Sequence, residues 1–116
     1  MTGETDLGTL LGSLAPELIA GELVFCTFPE ARYGDHAALQ PVVSVAEAEG
    51  LTLVIPRETA DAHKIEYASA YRCIRLNVHS SLGAVGLTAA FSAALAKHDI
   101  STNVVAGHFH DHIFVK

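Results

Sequence analysis

The sequence predicts an α+β fold, with helices on one face of an antiparallel sheet. Three observations lead there. Residues 72–79 alternate with a period of two, residues 83–98 carry a helical stripe, and the elements run α-β-β-β-α and then β-α-β-β along 116 residues. A chain of that length forms about one domain, or two small units sharing a core.

The elements follow in order. Leu7, Leu10, Leu11 and Leu14 fall at helical spacing behind Asp6, a good N-cap, and Pro16 ends or kinks the helix. Residues 22–28 are β-branched and aromatic with apolar side chains on both faces, which predicts a strand buried on both sides. Residues 29–41 have no period and hold Gly34, Asp35 and His36, so they read as a loop. Residues 42–45 and 51–55 are two short strands around a five-residue hairpin loop ending in Gly50. Pro56 suits the first turn of a short helix over 56–64, with Glu58 and Asp61 early and Lys64 late, as the helix dipole favours.

Strand 72–79 turns Ile74, Leu76 and Val78 to one face and Cys73, Arg75, Asn77 and His79 to the other. Ser80 and Ser81 are N-cap candidates for the helix over 83–98, whose stripe is Leu87, Phe91, Ala94, Leu95 and His98. Strands over 101–106 and 113–115 follow, with a turn near Gly107. This second half opens a split β-α-β, the ferredoxin-like pattern. The division falls into an N-terminal half over 1–68 and a C-terminal half over 69–116, the latter ending after its third strand.

Composition excludes several functions. Seven Lys+Arg against thirteen Asp+Glu leave a net charge of −6, and the cations are scattered, so no nucleic-acid partner is expected. The acidic start lacks the positive, apolar character of an export signal, and no apolar run approaches a membrane span. A cytoplasmic protein with no membrane partner is the expectation, and Cys26 and Cys73 read as buried, reduced thiols. No G-x-S-x-G elbow, phosphate loop or G-x-G-x-x-G is present. Ser80 and Ser81 adjoin His79, but neighbouring strand residues point apart, and Glu47 and Glu49 sit in a solvated turn. No enzyme activity and no cofactor are expected.

His108, His110 and His112 would share one face of an extended strand, with Asp111 between them. Imidazoles so arranged suit Zn, Ni or Cu, although no Cys or further carboxylate stands at ligand spacing. In a ferredoxin-like unit the last hairpin lies at the same end as the strand-to-helix loop, which brings His79 near His112. A metal-binding protein or metal-dependent enzyme using His79, His110, Asp111 and His112 is therefore one alternative, and a hydrogen-bonded polar hairpin is the plain one.

The stretch 74–115 resembles an ACT domain: a strand, a glycine-bearing loop, a helix, then Ile100-Ser101 fourteen residues after Gly86, with Asn103 following. It is closer still to short bacterial tandem-ACT proteins, through Val24 to Thr27, Glu49 to Val54, Val78 to Leu82, Val85 to Ala90 and His110 to His112, so the resemblance covers most of the chain. Two departures stand out. Gly83 occupies the place of the family's Asp, and the second unit lacks its final helix and strand. Either the chain is a piece of a longer one, or those elements come from elsewhere.

The resemblance implies a non-enzymatic regulatory module, a homodimer that binds an amino acid or similar metabolite at an interface and responds by a shift in assembly. Elementary chemistry fits that expectation. Gly86 has no Cβ to obstruct close backbone approach, and free N–H groups at a helix start attract a carboxylate. Gly86 would equally let the helix pack on the sheet, and Asn103, able to meet a ligand's polar group, would equally serve as a plain edge residue. The candidate ligand site comprises His79, Ser80, Ser81, Leu82, Val85, Gly86, Leu87, Asn103, His110 and His112. No metal ligand is assigned in that reading, and a purely structural oligomerisation domain is a third one.

Overall fold

Strand β2 (Leu23–Pro29) shows how the apolar runs are used. Val24 and Cys26 are fully buried, whereas Leu23 and Phe25 on the opposite face are only half-buried, so the strand is not buried equally on both sides. The computed structural model describes residues 16–77 and 84–116, and the leucine helix expected near 7–14 lies outside them. The chain divides into two compact units: Gly21–Tyr71, and Arg72–Lys116 together with the segment ending at Ala20.

In the Gly21–Tyr71 unit, β2 pairs antiparallel with β4 (Gly50–Pro56), which pairs with the edge strand β3 (Val43–Glu47). Residues Ala70 and Tyr71 lie beside Val24 and Leu23 and begin strand β5 (Ala70–Asn77). Val24, Cys26, Leu51, Leu53 and Ile55 form the core with Leu39 and Ala60. Leu39 comes from a 3-10 turn, Ala37–Leu39, inside the expected loop. Ala60 lies on helix α1 (Arg57–Ala62).

The hairpin is tighter than expected. Glu47 pairs with Gly50, leaving a two-residue turn at Ala48 and Glu49. The ladder extends to Gly50 because its φ of 153° and missing Cβ let the chain pass the β2 backbone. A Cβ there would stand 2.5 Å from the Phe28 carbonyl oxygen. Pro56 pairs with Leu23 as the last residue of β4 and precedes the helix at its N-cap position, so α1 is shorter than the 56–64 expected. Lys64 lies beyond it, at φ 56°.

In the second unit the order is β1-β5-β7-β6, all antiparallel. Its strands are β1 (Glu17–Leu18), β5, β6 (Thr102–Ala106) and β7 (His110–Val115). Strand β5 is interior, as expected, and buries Leu76 on one face and Cys73 on the other. Helix α2 (Ala84–Ala96) sets Phe91 and Leu95 against Leu76, Ile113 and Val115. Ala94 and His98, expected on the same stripe, are exposed. Strand β7 starts three residues earlier than expected because Asn77 pairs with His110 and draws the polar residues into the ladder.

Strand β1 stands antiparallel to β5, where the C-terminal half was one strand short. Its short stretch behind Pro16 carried no periodicity. The N-terminal side of the same chain thus fills that edge, and a partner is not needed to fill it.

Both helices end alike. Lys64 N–H donates to Asp61 O and Ile65 N–H to Ala60 O; Asp99 N–H donates to Ala96 O and Ile100 N–H to Leu95 O. These are Schellman closures, with Lys64 and Asp99 left-handed and an isoleucine packing back onto each core.

Candidate functional site

The register of β5 and β7 fixes one end of the second unit. Asn77, the last residue of β5, faces His110, the first of β7, so the β6–β7 turn at Gly107 to Phe109 lies at the end where β5 leaves the sheet for α2. That juxtaposition is the one expected from the topology. Gly107 N–H donates to His110 O at 2.8 Å. A Cβ on Gly107 would come within 3.6 Å of His112 Cε1, so that imidazole leans over the glycine.

Strand alternation turns His110 and His112 to one face, with ring centroids 6.3 Å apart. Arg75 is opposite His112 and pairs with Glu17 at 2.6 Å. His110 Nδ1 is buried and has no hydrogen-bond partner among the described residues. Asp111 belongs to the other face, with Ile113 and Val115, and is buried at 6% exposure. Asp111 therefore points away from both histidines, and His79, the fourth member of the expected metal cluster, lies outside the described residues. Among the described residues no three His, Cys, Asp or Glu side chains are placed to share a metal ion. His108 precedes the strand and sets its ring edge-on to Phe109, whose side chain is 73% exposed at the tip of the turn.

His79, Ser80, Ser81 and Leu82 lie outside the described residues. Val85, Gly86 and Leu87 fall within the first turn of α2 and not in a loop. N–H groups of a first helical turn have no intrahelical acceptor, so the backbone there keeps its attraction for an anion. Asn103 pairs with Phe114, four residues along β7 from His110. At the rise of a strand that is about 13 Å, so Asn103 stands toward the opposite end of the sheet.

Neither cysteine is an activated thiol. Burial pushes Cys26 above the ordinary thiol range. Burial also raises Cys73, and the nearby Arg75 charge and the Ile113 backbone N–H offset it only in part.

Two ACT domain profiles match the chain, one over residues 2–72 and the other over residues 68–116. This chain belongs to the ACT domain family. Its sheets and helices have the ferredoxin-like ACT fold, and the two matches make it a tandem ACT protein. A crystal structure of a Vibrio cholerae protein of unknown function, described as a possible transport protein, is similar to this ACT protein. The two are 48% identical over 99% of this chain and 88% of that one, with a TM-score of 0.82. Among curated proteins nothing matches. ACT domains are regulatory modules that generally bind small ligands. Among the described residues no helix of this one is long and apolar enough to cross a membrane.

Proposed function

We propose that this tandem ACT protein is a non-enzymatic regulatory module that binds a small molecule of amino-acid type. The ligand lies at the end of the second unit where β5 gives way to α2. One observation supports this reading: in the Asn77–His110 register, Gly107, His110 and the turn lie at the end of the sheet where β5 stops, ahead of α2 in the chain. A ligand carboxylate would meet first-turn N–H groups near Val85, Gly86 and Leu87, and His79, Ser80, Ser81 and Leu82 lie on the connecting segment. His110 and His112 would offer imidazole donors or acceptors to the rest of the ligand. Asn103 belongs to this site only if the ligand is long or a second copy brings its own Asn103 there. A homodimer in the cytoplasm is part of the proposal, as the family resemblance implies.

The test is a thermal-shift screen of the twenty amino acids and common divalent metals. A ligand at 100 times its Kd should add about 2.7 kcal/mol of stability, a clear rise in Tm. Gly86→Val should remove that rise while leaving the unliganded Tm close to that of the parent. A screen in which no amino acid acts and one metal does would replace this reading with the metal one.

A further inference from the structure

We propose that β1 is an exchangeable arm, and that the slot it fills beside β5 also accepts β1 of a second copy of this chain. Among the described residues the arm is held by few contacts. Its register covers Glu17 opposite Arg75 and Leu18 opposite Ile74. Ile19 N–H donates to Cys73 O at 2.9 Å, Arg72 Nη2 donates to Ile19 O at 3.1 Å, and Arg75 pairs with Glu17. Leu18 remains 58% exposed, so the arm inserts no apolar anchor there.

The slot, by contrast, is built by strands that do not need the arm. Strand β5 is paired along Arg72–Asn77 with β7 on its other side. Without β1, the Cys73 carbonyl has no other partner among the described residues, and an unpaired edge attracts another strand. Arg72 Nε is already buried without a partner among the described residues, so losing the Ile19 carbonyl would leave this guanidinium still less satisfied.

The arm meets the next unit at Gly21, in the left-handed region at φ 92° with nothing within 4 Å of where a Cβ would stand. That is an open, permissive hinge. A second copy carries the same Glu17, Leu18 and Ile19, so exchange recreates the contacts these residues make. It changes only whether the arm and slot belong to one chain.

Charge reversal tests this on the full chain. In Glu17→Arg the arm opposes its own Arg75, and in Arg75→Glu the slot opposes its own Glu17. Refolded together, an exchanged pair of these two variants matches both sites at once. Native mass spectrometry of the mixture should show a ratio of mixed dimer to the two homodimers together about fivefold above the statistical 1:1, the scale of repairing surface ion pairs. The double variant Glu17→Arg/Arg75→Glu restores the match within one chain and should show no such preference. If either single variant fails to fold alone, folding of the mixture still supports exchange. A statistical mixture, no mixed dimer, or a mixture that stays unfolded while the double variant folds would overturn it.

Discussion

Gly50 is a residue whose chemistry decides a turn. Its φ of 153° and the 2.5 Å from a built Cβ to the Phe28 carbonyl oxygen leave no room for a side chain, and the second contact is also backbone, Pro29 Cα at 2.9 Å. Gly50→Ala should therefore cost about 2–4 kcal/mol, read as a lower urea midpoint with unchanged m. Cys26 and Cys73 make a second prediction. Both pKa values are raised by burial, so the native state keeps its thiol protons longer than the unfolded chain. Their contribution to stability is complete below the ordinary thiol range and is lost as pH climbs through the raised values. Iodoacetamide at pH 8 should accordingly modify the native protein at least about tenfold more slowly than the urea-unfolded chain. Equal rates would mean that the thiols are open in solution.

The helix ends make the prediction at the next scale. Asp99 and Lys64 occupy left-handed positions, at φ 58° and 56°, where a glycine is less strained. Asp99→Gly and Lys64→Gly should each stabilise the protein by about 0.5–1 kcal/mol in denaturant titrations. Phe91 works in the other direction. It is half-buried against Leu76, Ile113 and Val115, and Phe91→Ala should cost about 2–4 kcal/mol, at the lower end for its residue type. These elements were legible to different degrees. The alternation at Ile74 and Leu76 and the Phe91–Leu95 spacing placed β5 and α2, although β5 also buries Cys73 on its other face. The start of β7 at His110 was not legible, since backbone pairing with Asn77 recruits it whatever its polarity. Strand β1 was hidden for the same reason: Glu17 and Leu18 form a strand only because a distant edge accepts them. The shared closures at His63-Lys64-Ile65 and His98-Asp99-Ile100 were visible as a repeated His-x-Ile, a signal that periodicity does not weigh.

At the scale of the whole molecule, the site was partly legible. Topology alone put the histidine-bearing turn beside the strand-to-helix connection, and the register agrees. The face each residue takes needed the ladder itself, which separates Asp111 from His110 and His112 and carries Asn103 toward the far end. A double substitution, His110→Ala with His112→Ala, should weaken amino-acid binding severalfold while elemental analysis finds no stoichiometric metal lost. The place of β1 also bears on the order of synthesis. Glu17 leaves the ribosome 58 residues ahead of Arg75, its partner. The unit over Gly21–Tyr71 is contiguous and is complete before β5 is fully made, so the earliest strand among the described residues is among the last to find its place. A permuted chain that starts at Gly21 and carries residues 1–20 behind Lys116 on a flexible linker would reverse that order. It should reach the same sheet, but its slot stands open until the arm emerges, so cell-free synthesis should yield a larger share of exchanged dimer than the parent chain does.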